Sequence, residues 1–257
     1  MIFQASGHSG SAVVTALYET ASSALIERSA AASAAGADVL EWRLDYGVST
    51  HAALSLDDVA AAIPQALDLL PHPLLLTLRT AANGGEADLM PGRYSVMLAG
   101  LFDSLMRLGV DRSRIGVDIE FSQKNMQTLV DSALDLGLTV MLSARDSESP
   151  LDPDVLQVML EDLLEVHGVV PALKVHVTTD EEAQRALDVF ARVRSRAGRP
   201  MILAADGSAA RNVTLGASRV GSAATWARFE NTQLDALAGE VSVEETLAFL
   251  ASGSASE

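Results

Sequence analysis

A lysine sits in the middle of an apolar run, Val169-Val170-Pro171-Ala172-Leu173-Lys174-Val175-His176-Val177, and it is one of only two lysines, with Lys124, against sixteen arginines. Lysine can do what arginine cannot: lose its proton in a desolvated pocket and attack a carbonyl to form an imine. The plain alternative is a salt-bridged or snorkelling lysine, which suits a helix edge better than the centre of a strand. His176 lies two residues further on, so on a strand it shares the face of Lys174 and could move protons beside an imine. A strand histidine that simply satisfies a hydrogen bond explains it equally well.

Other polar residues interrupt or end apolar runs. In Val39-Leu40-Glu41-Trp42-Arg43-Leu44, period-two alternation puts Leu40, Trp42 and Leu44 on one face and Glu41 with Arg43 on the other. Charges turned inward must pair, with each other or with a polar ligand. Arg79 follows Leu74-Leu75-Leu76-Thr77-Leu78 and precedes Asn83-Gly84-Gly85-Glu86, where a guanidinium beside a turn could grip a carboxylate. Asp118 and Glu120 end another run, and Ser143-Ala144-Arg145-Asp146 ends the next. No His and carboxylate spacing among these acids is specific for a metal, and none is expected. Asp206-Gly207-Ser208 and Gly221-Ser222 could cradle a phosphate or be ordinary turns.

Positioning these residues requires a scaffold with strict βα alternation. Strands are expected at Ala12–Leu17, Val39–Leu44, Leu74–Leu78, Ile115–Ile119, Thr139–Leu142, Ala172–Val177, Met201–Ala204 and Arg219–Ala224. Helical spacing falls between them, near Ser22–Ala35, Leu56–Leu69, Arg93–Leu108, Met126–Leu136, Pro153–Val166 and Asp180–Ala197, with a shorter segment after Ser208 and a last helix over Val243–Leu250. Ser55, Asp152 and Thr179 read as N-caps. Eight such units in 257 residues match a (β/α)8 barrel, a TIM barrel, as one domain over residues 1–257, with 251–257 a frayed tail. An open doubly wound sheet is the other arrangement that alternation allows.

Composition narrows the classes. The net charge of −16 argues against nucleic acid as a partner, and 49% hydrophobic against 20% charged residues describes a chain with a large core. The absence of cysteine excludes disulfides, thiolate metal sites and a cysteine nucleophile. The N-terminus has no secretory pattern, and no apolar stretch nears the roughly 20 residues a membrane span needs. A cytoplasmic protein without membrane contact is expected.

Taken in order, Glu41-Trp42-Arg43-Leu44-Asp45, Leu76-Thr77-Leu78-Arg79-Thr80 with Gly84-Gly85-Glu86, Asp118-Ile119-Glu120, Lys174, and Gly221-Ser222-Ala223-Ala224-Thr225-Trp226 resemble the type I 3-dehydroquinate dehydratases, Schiff-base lyases of the shikimate pathway. The resemblance implies a dimeric (β/α)8 barrel that needs no cofactor and dehydrates 3-dehydroquinate to 3-dehydroshikimate through an imine on Lys174. It also implies substrate-binding roles for Glu41, Arg43 and Arg79, and for Arg211 as the arginine after strand seven that grips a carboxylate. The substrate is then 3-dehydroquinate or a related cyclic keto acid, a small carboxylate-bearing ketone.

Departures from the family are equally specific. Where the family carries its catalytic histidine, in a Ser-x-His-Asp/Asn context, this chain has Arg145, which does not deprotonate and cannot shuttle a proton. His176 is the candidate replacement, and Arg145 remains at the catalytic position. Asn83 replaces the acid before the Gly-Gly pair. The lid pattern Ser-x-Pro-Gly-Gln aligns with Ala236-Leu237-Ala238-Gly239-Glu240, placing Glu240 among the substrate-binding residues although it would repel a carboxylate. Two other functions stay open: an aldolase of a phosphorylated substrate, with Arg145 and the Gly-Ser turns holding phosphate, and a catalytically silent relative that binds a metabolite.

Overall fold

Short runs rich in Leu, Val, Ile and Ala form eight strands, and the computed structural model describes residues 1–5, 10–20, 22–49, 56–90, 92–146, 152–229 and 241–253. The strands are β1 Ala12–Leu17, β2 Val39–Arg43, β3 Leu74–Thr77, β4 Ile115–Glu120, β5 Thr139–Asp146, β6 Val170–His176, β7 Ile202–Asp206 and β8 Ala224–Trp226. Between and after them run α1 Ser22–Ala34, α2 Leu44–Ser49, α3 Leu56–Leu69, α4 Arg93–Leu108, α5 Met126–Asp135, α6 Pro153–Glu165, α7 Asp180–Ala197, α8 Ala210–Arg219 and α9 Val243–Gly253. The sheet order is β7-β6-β5-β4-β3-β2-β1-β8, which follows the chain without reversing. A doubly wound sheet reverses its order at a switch point, so this is the (β/α)8 topology instead. Among the described residues no helix is long and apolar enough to cross a membrane.

The chain divides into two compact units. The first comprises Met1–Ile2, Ala16–Ala34 and Val39–Met141. Here β2, β3 and β4 run parallel, with Glu41 beside Leu75 and Thr77 beside both Arg43 and Asp118. Every residue of β3 and β4 is buried, as expected of parallel strands covered on both faces. Trp42 faces outward from β2 into the helical layer, where its indole Nε1 donates to Ser29 Oγ of α1 at 3.1 Å.

The second unit comprises Phe3–Thr15, Ala35–Asp38 and Leu142–Glu257. In it β6 and β7 pair from Ala172 and Ile202 to His176 and Asp206, and β8 pairs with the start of β1. Ala223 N donates to Met201 O at 2.8 Å, joining the approach to β8 to that of β7. Capping sets where the helices start: Asp152 accepts from the Asp154 backbone before α6, and Thr179 with Glu182 forms a reciprocal capping box at α7. Ser55 lies outside the described residues.

Several boundaries differ from the sequence expectation. The strand expected at Arg219–Ala224 starts only at Ala224, because α8 runs to Arg219 and then turns. Val220 and Ser222 bond back to Ala217 O, and Gly221 takes a φ of +83° that a side chain would resist. β5 continues beyond Leu142 to Asp146, and β7 beyond Ala204 to Asp206, so both carry polar residues at their C-terminal ends. Leu44 ends no strand; it opens the short helix α2.

Candidate active site

Each unit gathers polar side chains at the C-terminal ends of its strands. In the first, Glu41 of β2 is buried and accepts from Thr77 Oγ1 of β3 at 2.7 Å. Arg43, on the same strand face as Glu41, forms a two-pronged pair with Asp45, Nε and Nη2 lying 2.9 and 2.7 Å from the carboxylate oxygens. The start of α2 brings Asp45 round to it, and Asp45 also accepts from the Glu86 backbone at 2.9 Å. Tyr18 and Tyr46 flank the same guanidinium, 5.6 and 5.2 Å from ring centre to Cζ. Burial opposes its charge, but Asp45, with Glu41 and Tyr18, outweighs burial and raises the Arg43 pKa above the ordinary arginine value.

Arg79 follows β3 and places Nη2 2.8 Å from Asp118 Oδ2 of β4. Burial opposes the guanidinium's charge here too, and Asp118 followed by Glu41 more than compensates. Glu120 accepts from Thr80 N at 2.7 Å and from Gln123 Nε2 at 2.6 Å. Burial still pushes its carboxyl above the usual glutamate range, against the pull of those hydrogen bonds. Gly85 makes the Arg79 turn possible, since a Cβ at residue 85 would lie 2.3 Å from Arg79 O.

In the second unit three bases converge on one carboxylate, Asp206 at the end of β7. His176 Nδ1 lies 2.6 Å from Asp206 Oδ1, while Arg145 Nη2 and Lys174 Nζ lie 2.6 and 3.3 Å from Oδ2. Burial alone would raise the Asp206 carboxyl, but Lys174, His176 and Arg145 together hold it below the ordinary aspartate value. Lys174 shares the strand face of His176, as alternation requires. It is not the desolvated lysine expected, because its side chain keeps 26% of its exposure and faces a carboxylate.

Arg211 does not join either group in the structure. Arg211 lies on an exposed face of α8 and ion-pairs with Glu245 of α9, so its guanidinium is engaged with an acid of this chain. Glu240, with the stretch 236–240, lies outside the described residues. The serines of the two Gly-Ser turns bond within the chain, Ser208 Oγ to Thr178 O among them. Ser222 Oγ donates to Ala224 O and accepts from Leu203 N in a buried turn, while Asp206 puts negative charge beside Gly207 and Ser208. Among the described residues no group of three or more His, Cys, Asp or Glu is arranged to hold a metal ion.

Asp206 is the residue that sequence reasoning passed over. It ends an apolar run, the same signal that singled out Asp118, but ending β7 at Ala204 consigned it to a turn. Thr77, Thr80 and Tyr94 also escaped. Tyr94 of α4 is buried, donating to Asp118 O at 3.3 Å and accepting from Glu120 N at 3.1 Å.

The chain as a whole is similar to known proteins. The type I 3-dehydroquinase family model matches residues 13–255. A 3-dehydroquinate dehydratase of Bacillus licheniformis is 26% identical over 168 residues, 65% of this chain and 63% of that relative. One from Salmonella choleraesuis is 28% identical over 167 residues, 64% and 63% respectively. The matched stretch of the chain thus spans less than two thirds of the curated relatives' length. Among solved structures, a type I 3-dehydroquinate dehydratase of Clostridium difficile, carrying covalently modified comenic acid, superposes with a TM-score of 0.82 at 17% identity over 98% of this chain and 95% of that one. The 3-dehydroquinate dehydratase of Geobacillus kaustophilus gives 0.82 at 16% identity over 96% and 92%. At such identities the structural likeness establishes the (β/α)8 barrel fold.

Proposed function

The chain belongs to the type I 3-dehydroquinase family, and from that premise we propose that it is a hydro-lyase that dehydrates 3-dehydroquinate to 3-dehydroshikimate through an imine on Lys174. The observation that carries the proposal is the convergence of an amine and an imidazole, Lys174 and His176, on the single carboxylate of Asp206. That grouping supplies a nucleophile and a proton carrier on one strand face. The substrate-binding roles of Glu41, Arg43 and Arg79 and the dimer rest on the family resemblance, the cytoplasmic location on the N-terminal pattern and the lack of an apolar span, and all belong to the same proposal.

The steps follow from the chemistry of a ketone with a hydroxyl on its β carbon. Lys174 Nζ first passes one proton to solvent and adds to the carbonyl carbon; the carbonyl oxygen then departs as water, taking one proton from Nζ and one from solvent, to leave a protonated imine. That positive charge acidifies the adjacent C–H bond. His176 takes the proton, the electron pair forms the new carbon–carbon double bond, and the β-hydroxyl leaves with a proton as a second water. One water then hydrolyses the imine, releasing product and amine. The net change is the loss of one water.

Arg145 does not move protons in this scheme, because a guanidinium stays charged. Its contact with Asp206 also removes the support for a phosphate site there, which leaves the aldolase alternative without an observation in its favour. The test is the intact mass of the protein after incubation with 3-dehydroquinate and borohydride, with Lys174→Ala as the control. A Lys174-dependent adduct lighter by one water than the reduced substrate adduct is the expected result. An adduct that keeps its water means the lysine reacts but elimination fails. No adduct at all points to the silent relative that binds a metabolite.

A further inference from the structure

We infer that Asp206 is a positioning residue that fixes the tautomer of His176, so that a His176–Asp206 dyad on β6 and β7 carries the proton transfers beside Lys174. The inference deepens the proposed function and rests on it for the identity of the reaction. Its geometry is independent of that reading. His176 and Asp206 face each other directly in the β6–β7 register, and the backbone locks the pair just beyond: Val177 N donates to Asp206 O at 2.9 Å and Ala209 N to Val177 O at 3.2 Å.

An ionised carboxylate only accepts hydrogen bonds, so Asp206 Oδ1 at 2.6 Å from Nδ1 requires the imidazole proton on Nδ1. The lone pair is then on Nε2, the nitrogen that can act as base. Asp206 does not drift into taking the proton itself, because its other oxygen is held by Arg145 at 2.6 Å and Lys174 at 3.3 Å. Arg145 thus does for the carboxylate what it cannot do for the substrate: a permanent charge keeps Asp206 ionised. Gly207 leaves room for the ring, since a Cβ at residue 207 would sit 3.0 Å from His176 Cε1. Arg145 at the end of β5 and Asp206 at the end of β7 form one arrangement, in which the proton carrier sits on β6.

The experiment is Asp206→Asn, with Asp206→Glu as the conservative variant, read in three ways. The kcat for dehydration falls on the order of 10²-fold in Asp206→Asn, in line with the loss of one acid–base catalyst, while KM changes little. Borohydride trapping on Lys174 persists, since imine formation needs no dyad. The imidazole ¹⁵N shifts of His176 move from the pattern of Nδ1–H toward a tautomer mixture, and Asp206→Glu restores both shifts and part of kcat. His176→Ala combined with Asp206→Asn is no slower than His176→Ala alone, because the two act as a unit. Unchanged ¹⁵N shifts in Asp206→Asn, or additive losses in the double variant, overturn the inference. If the wild-type protein gives neither turnover nor a Lys174 adduct, the proposed function fails, and the ¹⁵N shifts still decide whether Asp206 sets the tautomer.

Discussion

His176 and Asp206 stand opposite each other on neighbouring parallel strands, and their side chains meet at 2.6 Å although thirty residues separate them in the chain. The contact ties the polar end of β6 to that of β7. Substitutions that disturb it should be felt in chemistry before they are felt in folding.

Gly207→Ala tests how closely the backbone is packed behind this pair. The residue has a φ of +97°, and an added Cβ would lie 2.2 Å from Val177 O and 3.0 Å from the imidazole. The backbone contact cannot relax by rotating a side chain, so the variant loses both Tm and kcat. Gly198→Ala is the control: its φ of +63° costs an L residue roughly 1–2 kcal/mol, but nothing lies near the new methyl. Equal losses of Tm and unchanged kcat in the two variants would refute the steric argument.

Two carboxyls give stability opposite dependences on pH. Asp206 titrates below its ordinary value of 3.8, so its contribution is present above pH 3.8 and lost as pH falls through the lower folded value. Glu120 titrates above its ordinary value of 4.5, so its contribution is present below pH 4.5 and lost as pH rises through the higher folded value. Thermal melts across pH should therefore show Asp206→Asn flattening the acid limb and Glu120→Gln flattening the slope above pH 4.5. Parallel curves for wild type and both variants would contradict the assignments.

Arg79→Met should be costly to stability. Asp118 is 1% exposed, and removing its 2.8 Å cationic partner leaves a buried carboxylate under-compensated. Urea unfolding should show a loss on the order of 3–5 kcal/mol, partly recovered by adding Asp118→Asn. A midpoint equal to that of wild type would show that other groups already balance the charge.

Ser29→Ala addresses the helical layer instead. Trp42 is fully buried and its indole nitrogen donates to Ser29 Oγ, so the variant strands a donor at a cost of about 1–3 kcal/mol. Activity measured well below the melting temperature should be unchanged, because neither residue touches the polar groups. An equilibrium unfolding curve identical to wild type would mean the hydrogen bond contributes nothing.

The sequence by itself determined the alternation of strands and helices, because local periodicity decides which residues can bury a face. It also placed Lys174 with His176 and Glu41 with Arg43, since residues two apart on a strand share a side. What it left undecided were pairings between residues far apart in the chain. Arg43 chose Asp45 through the onset of α2; Arg145 and Lys174 met Asp206 only because β5 and β7 extend further than their apolar runs; Arg211 turned to Glu245 on α9. Periodicity reports on one strand at a time, whereas an ion pair depends on the register and ends of several. A motif can therefore single out a lysine in an apolar strand, but only the assembled strands show which carboxylate it faces.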